Sequence, residues 1–127
     1  MFNEVSFIGH LGKDPDIQAT QKQETVVKLS VGSSVWDKYN PYTIWFTVTL
    51  WGRSAEYARK NLHKGDMVHV VGTILADKTT GNPRIYHRKD GTVGTSYEVN
   101  GRLITRIVKK ATGGSGYQDE DEDENLF

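Results

Sequence analysis

All three tryptophans of the chain, Trp36, Trp45 and Trp51, fall in one short stretch, and cations stand among them: Lys28 before, Lys38 between, Arg53 just after. A second mixture follows, with Tyr86 set among Lys78, Arg84, Arg88 and Lys89. Flat π-systems interleaved with positive charge suit a single-stranded polyanion whose bases stack and whose phosphates are neutralised. Each stacked base contributes about 1–3 kcal/mol, whatever its identity, because every base has a π-face. The competing reading is packing, since tryptophan is also favoured on the far side of a closed barrel or in a subunit interface.

At the other end of the sequence, Asp119 to Glu124 form an unbroken acidic run followed by Asn125, Leu126 and Phe127. A benzyl group beside a terminal carboxylate is a compact anchor for a partner's pocket, and Asp121, Glu122, Asp123 and Glu124 would steer it toward a basic rim. The alternative is a purely solvating tail. Catalytic chemistry is poorly provided for. The absence of cysteine excludes thiolate nucleophiles and sulfur-ligated zinc. His10, His63, His69 and His87 are scattered without ligand spacing, and none has a plausible nucleophile nearby in sequence. Gly113-Gly-Ser-Gly116 is not followed by the Lys and helix of a phosphate-binding loop. No catalysis, no cofactor and no metal are expected.

The elements that must position these side chains are mostly strands. Alternation of Val5, Phe7, Gly9 and Leu11 predicts a strand over Asn3 to Leu11, stopped by Gly12-Lys13-Asp14-Pro15. Val27, Leu29 and Val31 alternate with Lys28, Ser30 and Gly32 over Thr25 to Ser34, with Trp36 on the polar parity. From Thr43 to Gly52, Ile44, Phe46, Val48 and Leu50 face one way, which leaves Trp45, Thr47, Thr49 and Trp51 together on the other face. Ser54 suits the N-cap of a short helix over Ala55 to Leu62, with Gly65 as its stop. A fourth strand over Met67 to Ala76, an excursion broken by Gly81-Asn82-Pro83 and Asp90-Gly91, and a fifth strand over Tyr97 to Val108 complete the body. Three strands, a helix and two strands in this order predict an all-β fold: a five-stranded oligonucleotide/oligosaccharide-binding (OB) Greek-key barrel, preferred over an open α+β sheet. A half-open barrel of this kind would leave strand edges, and the first strand is the candidate to pair with its copy in a homo-oligomer.

Length and charge bound the organisation. The 127 residues, at 14.3 kDa, suffice for one compact domain. With 36% hydrophobic residues and a mean hydropathy of -0.57, the chain has no apolar run of bilayer length, and no membrane partner is expected. Met1-Phe2-Asn3-Glu4-Val5 lacks the basic and apolar regions of a secretory signal, so a cytoplasmic location is expected. The formal net charge of zero conceals a division: residues 1–117 carry 16 basic and 10 acidic groups, a net +6, against -6 in the acidic run. A basic body suggests a polyanion partner. The expected organisation is a barrel domain over 1–110, a flexible Gly/Ser linker over 111–118 and a disordered acidic tail over 119–127.

The string Asn3-Glu-Val-Ser-Phe-Ile-Gly-His-Leu-Gly-Lys-Asp-Pro15 resembles the opening strand and turn of bacterial and phage single-stranded DNA-binding proteins. Trp45-Phe-Thr-Val-Thr-Leu-Trp-Gly52 is similar to that family's aromatic-rich third strand, and Ala55-Glu56 through Leu62-His-Lys-Gly-Asp66 to its helix and Lys-Gly turn. The resemblance covers residues 3–108 and resumes at the tail. It implies sequence-independent binding and protection of single-stranded DNA in replication, recombination and repair, with Trp36, Trp45 and Trp51 as stacking positions. It implies phosphate contacts at Lys38, Arg53, Lys64 and Lys78, to which the residue pattern adds Lys28, Arg84 and Arg88. It also implies a homotetramer, a nucleoid-associated location (or the host cytoplasm for a phage protein) and an acidic tail that recruits genome-maintenance proteins. Two departures stand out. Thr79 occupies the place of a further tryptophan, for which Tyr86 is the candidate substitute, and the tail lacks the family's penultimate proline. A single-stranded RNA binder, or an oligomeric adaptor acting only through its tail, are the alternatives.

Overall fold

The computed structural model describes residues 2–108; the expected linker over 111–118 and tail over 119–127 lie outside the described residues. Eight strands and one helix follow in chain order: β1 Val5–Leu11, β2 Asp16–Ala19, β3 Thr25–Val35, β4 Tyr42–Trp51, α1 Gly52–Asn61, β5 Met67–Ile74, β6 Ile85–His87, β7 Val93–Thr95 and β8 Tyr97–Ile107. The main sheet runs β1-β5-β8-β4-β3-β2, and β1 also pairs with β3, closing β1, β5, β8, β4 and β3 into the expected five-stranded barrel. β4 and β8 are parallel and the other neighbours antiparallel, as a Greek-key path requires.

Period-2 alternation is what turns this chain inside out correctly. Val27, Leu29 and Val31 of β3, Val48 and Leu50 of β4, Val68 and Val70 of β5, and Val99 of β8 are all buried. Ala55 and Ala58 of α1, with Leu62 beyond its end, join the same core, and α1 packs against β3, β4 and β8. A one-residue slip of β4 would bury Trp45 and Trp51 and expose Val48 and Leu50, so the core itself fixes which face the indoles occupy.

Several boundaries differ from expectation. The helix starts at Gly52, directly out of β4, and Ser54 lies inside it. The Ser54 hydroxyl donates to the Arg102 carbonyl at 3.3 Å, a tertiary acceptor that draws it away from the capping role. The helix ends at Asn61, and Gly65 instead turns the chain back so that its N–H donates to the Leu11 carbonyl at 2.8 Å. β2 was not foreseen: all four of its residues are exposed, so no alternation marks them, and pairing with β3 across the Thr20 to Glu24 turn creates it. β1 begins at Val5 rather than Asn3, β5 stops at Ile74 short of Ala76, and β8 stops at Ile107. The barrel is closed rather than half-open, although the seam is short: only His10 opposite Gly32 and Leu11 opposite Val31 pair across it. Between Val5 and Gly9, β1 has β5 on one side and no paired strand on the other among the described residues.

Candidate nucleic-acid interface

β4 carries the centre of the surface. Trp45 and Trp51 are about half exposed and alternate with buried Val48 and Leu50, while Thr47 and Thr49 lie between the indoles on the same outward face. In register on β3, Gly32 is opposite Trp45, Ser30 opposite Thr47 and Lys28 opposite Thr49. The pairing sets a bare backbone beneath one indole and a cation four rungs away on the same face.

Trp45 rests on glycines. A Cβ built on Gly32 would come 2.9 Å from Cζ3 and Cη2 of its ring, and one built on Gly12 would come 2.7 Å from Cζ3. Only residues without side chains let the six-membered ring lie against both backbones, and half of the residue's surface remains free for a ligand. The register between β3 and β4 was needed to see this, because nothing in the spacing of Gly12, Gly32 and Trp45 links them.

Two open concavities adjoin along β4. The first takes Trp51 and Thr49 as one wall and gathers Lys28, Lys78 and Arg84, with Asn100 of β8. The second takes Trp45 and Thr47, and its far side is built from Tyr86 of β6 and Tyr97 of β8. Tyr86, the candidate substitute for a tryptophan at Thr79, therefore shares one depression with Trp45. Tyr97 was missed. It shares the parity of buried Val99, yet its ring lies 5.9 Å from Phe46 with two thirds of its surface exposed.

The other expected residues lie elsewhere. Trp36 is 85% exposed in the loop beyond β3 and lines neither depression. Lys38 is on the same loop, its Nζ 5.7 Å from the centre of the Tyr39 ring. Arg53 sits at the start of α1 in a recess with Glu24 and Glu56. The Lys64 N–H donates to Asp14 Oδ1 at 2.8 Å, which ties this residue to the turn that holds Gly12.

Charge availability separates the cations. Among the described residues, Lys28, Lys38, Arg53, Lys64 and Lys78 form no ion pair, although Arg53 shares its recess with Glu24 and Glu56. Arg84 is paired with Glu98 at 2.9 Å. Arg88 stands 5.3 Å from the centre of the Tyr86 ring and donates to Thr92 Oγ1 at 3.2 Å and the Val93 carbonyl at 3.1 Å. Among the described residues two carboxylates are shifted, both downward. Arg59 bonds Glu56, and the Thr92 hydroxyl and N–H both donate to Asp90.

Elsewhere, Ser6 Oγ and His69 Nε2 come within 2.8 Å across β1 and β5, a pairing hidden in sequence by their separation. No hydrogen bond to the other ring nitrogen of His69 occurs among the described residues. The described residues contain no buried charged side chain and no cluster of three potential metal ligands. No helix among them is long and apolar enough to cross a membrane.

Residues 2–100 match the model of the single-strand binding protein family. The chain is 29% identical over 124 residues to a protein of Neisseria meningitidis serogroup A named single-stranded DNA-binding protein, a match covering 92% of this chain and 67% of that one. Proteins of the same name from Xylella fastidiosa and Xanthomonas campestris are 34% and 33% identical over 84 residues, covering 62% of this chain and 51% and 49% of theirs. The chain thus matches about two thirds of the Neisseria protein's length and about half that of the other two.

Proposed function

We propose, from the premise that this chain belongs to the single-strand binding protein family, that it binds single-stranded DNA without reading its sequence and shields it during replication, recombination and repair. The observation that carries this reading is the outward face of β4, where two half-exposed indoles border adjoining depressions, one of them lined by Lys28, Lys78 and Arg84. Stacking supplies affinity for any base and the unpaired lysines neutralise phosphates. Trp36 and Lys38, on their exposed loop, extend the path past the barrel, and Arg53 and Lys64 add cations around it.

The surface works by binding alone, with no catalytic step, cofactor or metal. The protein acts in the cytoplasm, on DNA of the nucleoid or of an infecting phage. It assembles as a homo-oligomer, a tetramer by family resemblance. The single-sided edge of β1 over Val5 to Gly9, and Leu103, more than half exposed on β8, supply surface for contacts between copies. The tail, from Asp121 through Glu122, Asp123, Glu124, Asn125 and Leu126 to Phe127, recruits genome-maintenance proteins by an apolar anchor and steering charge.

Filter binding with matched oligo-dT, oligo-rU and duplex DNA tests the ligand. Tight retention of oligo-dT with weak retention of duplex is the expected result. Equal retention of single strand and duplex would leave charge alone as the basis of binding, and preference for oligo-rU would assign the surface to RNA.

A further inference from the structure

The outward face of β1, β5 and β8 carries a histidine that single-strand binding does not use. Val68 and Val70 of β5 belong to the core, so Met67, His69 and Val71 between and beside them point out of the barrel. Strand register sets Ile8 of β1 on one side of His69 and Thr105 of β8 on the other. Ile8 is almost fully buried, yet it stands outside the cluster that fills the barrel. With Ser6 and Ile107, these side chains line one shallow concavity, and half-exposed Leu103 lies next to it, opposite Val71.

Few charged or titratable groups face His69. On β1 there is His10, opposite Met67 and therefore diagonal to His69. On β8 the outward residues, Leu103, Thr105 and Ile107, are all uncharged. The charges that flank the face are engaged with one another: Arg102 stands 3.7 Å from Glu4, and Arg106 stands 3.8 Å from Asp66, which also lies 3.9 Å from His63. Among the described residues His69 has no carboxylate within ion-pair distance; its one side-chain partner is the Ser6 hydroxyl, 2.8 Å from Nε2. A neutral imidazole is therefore at home here, and an imidazolium would be uncompensated.

That composition suits a second copy of the chain. In a two-fold contact a face meets itself, so any charge on it is set against its like, whereas an uncharged, largely apolar face can be buried by its own copy. We infer that His69 makes assembly of this chain pH-dependent: a second copy covers the outward face of β1, β5 and β8 while the imidazole is neutral, and protonation expels it. This rests on the homo-oligomer reading and adds its regulation. The sign follows from linkage. Burial against the copy disfavours the charged ring, so the assembly holds fewer protons than the separated chains and weakens as pH falls through the histidine range. His10, on the same face, adds charge of the same sign.

Sedimentation of the full chain without DNA, at constant ionic strength, tests this between about pH 8 and about pH 5.5, a window that spans the ordinary histidine range and stays above that of carboxylates. The dissociation constant of the assembly should rise about tenfold across it, the effect of one group whose titration is displaced by one pH unit. His69→Gln, neutral throughout, should abolish most of the rise, His10→Gln should retain it, and His69→Lys should weaken assembly at both ends. Quenching of tryptophan emission by oligo-dT reports that each variant is folded. Should His69→Gln not fold, proton resonances of the ring in the unaltered protein decide: His69 should titrate at lower pH in concentrated, assembled protein than in dilute protein. A dissociation constant indifferent to pH, a rise that survives His69→Gln in full, or a His69 titration indifferent to concentration would overturn the switch and leave the homo-oligomer standing. A monomer throughout the window would overturn the homo-oligomer reading itself.

Discussion

Trp45 is the residue on which strand parity, glycine packing and exposure converge. Its outward parity was legible because Ile44, Phe46, Val48 and Leu50 could not all be solvated, and the buried Val48 and Leu50 leave it no other face. Its seat was not legible, since Gly12 and Gly32 reach it only through strand pairing. Trp45→Ala should therefore weaken single-strand binding by about 1–3 kcal/mol in a folded protein, measured by titration alongside a thermal melt. Gly32→Ala should produce a smaller loss of the same kind, because the new methyl group must push the indole from its resting place; unaltered affinity would show that the ring's orientation is immaterial. Leu50→Ala, fully buried, belongs to another class and should cost about 2–5 kcal/mol of folding free energy in a denaturant melt.

Among the elements, the barrel strands were legible and the additions were not. Strands β1, β3 and β4 declare themselves by alternation that a closed core enforces, whereas β5 and β8 were placed on either side of an excursion marked by its breakers. β2 has four exposed residues and exists because the turn at Thr20 to Glu24 lays it beside β3. The β6–β7 hairpin showed only its breakers, yet it brings Tyr86 to the second depression. Its tip depends on Asp90, whose carboxylate accepts from the Thr92 hydroxyl at 2.6 Å and from the Thr92 N–H at 3.0 Å. These bonds hold the Asp90 carboxyl below its ordinary range. A depressed folded-state value means that the stabilisation is present above the unfolded value and is lost as pH falls through the folded one. Acidification into that range should loosen the hairpin before the barrel, seen as faster amide exchange at Arg88 and Gly91, whose N–H groups close the turn. Simultaneous loss of barrel protection would remove the hairpin's independence.

For the whole molecule, the division of charge was legible at once, whereas the split of the surface into a cationic and an uncharged depression needed the fold. The tail, outside the described residues, enters as a proposal: its -6 can compete with DNA for the +6 body. Removing residues 118–127 should tighten DNA binding, chiefly at low salt where screening is weak, and abolish capture of tail-binding proteins. Phe127→Ala should keep the competition and lose the capture. Unchanged affinity on truncation at low salt would dismiss the competition, and undiminished capture by Phe127→Ala would dismiss the apolar anchor. Sedimentation should likewise give a particle several times 14.3 kDa at micromolar concentration; a monomer would refute assembly.

If indoles and cations on one face bind single strands together, titration of intrinsic tryptophan fluorescence with oligo-dT at two salt concentrations tests both at once. Saturable quenching is expected, with affinity falling as salt rises along a log-log slope of about -0.7 per phosphate neutralised. Saturable binding that leaves tryptophan emission unchanged, or an affinity indifferent to salt, would contradict this joint binding.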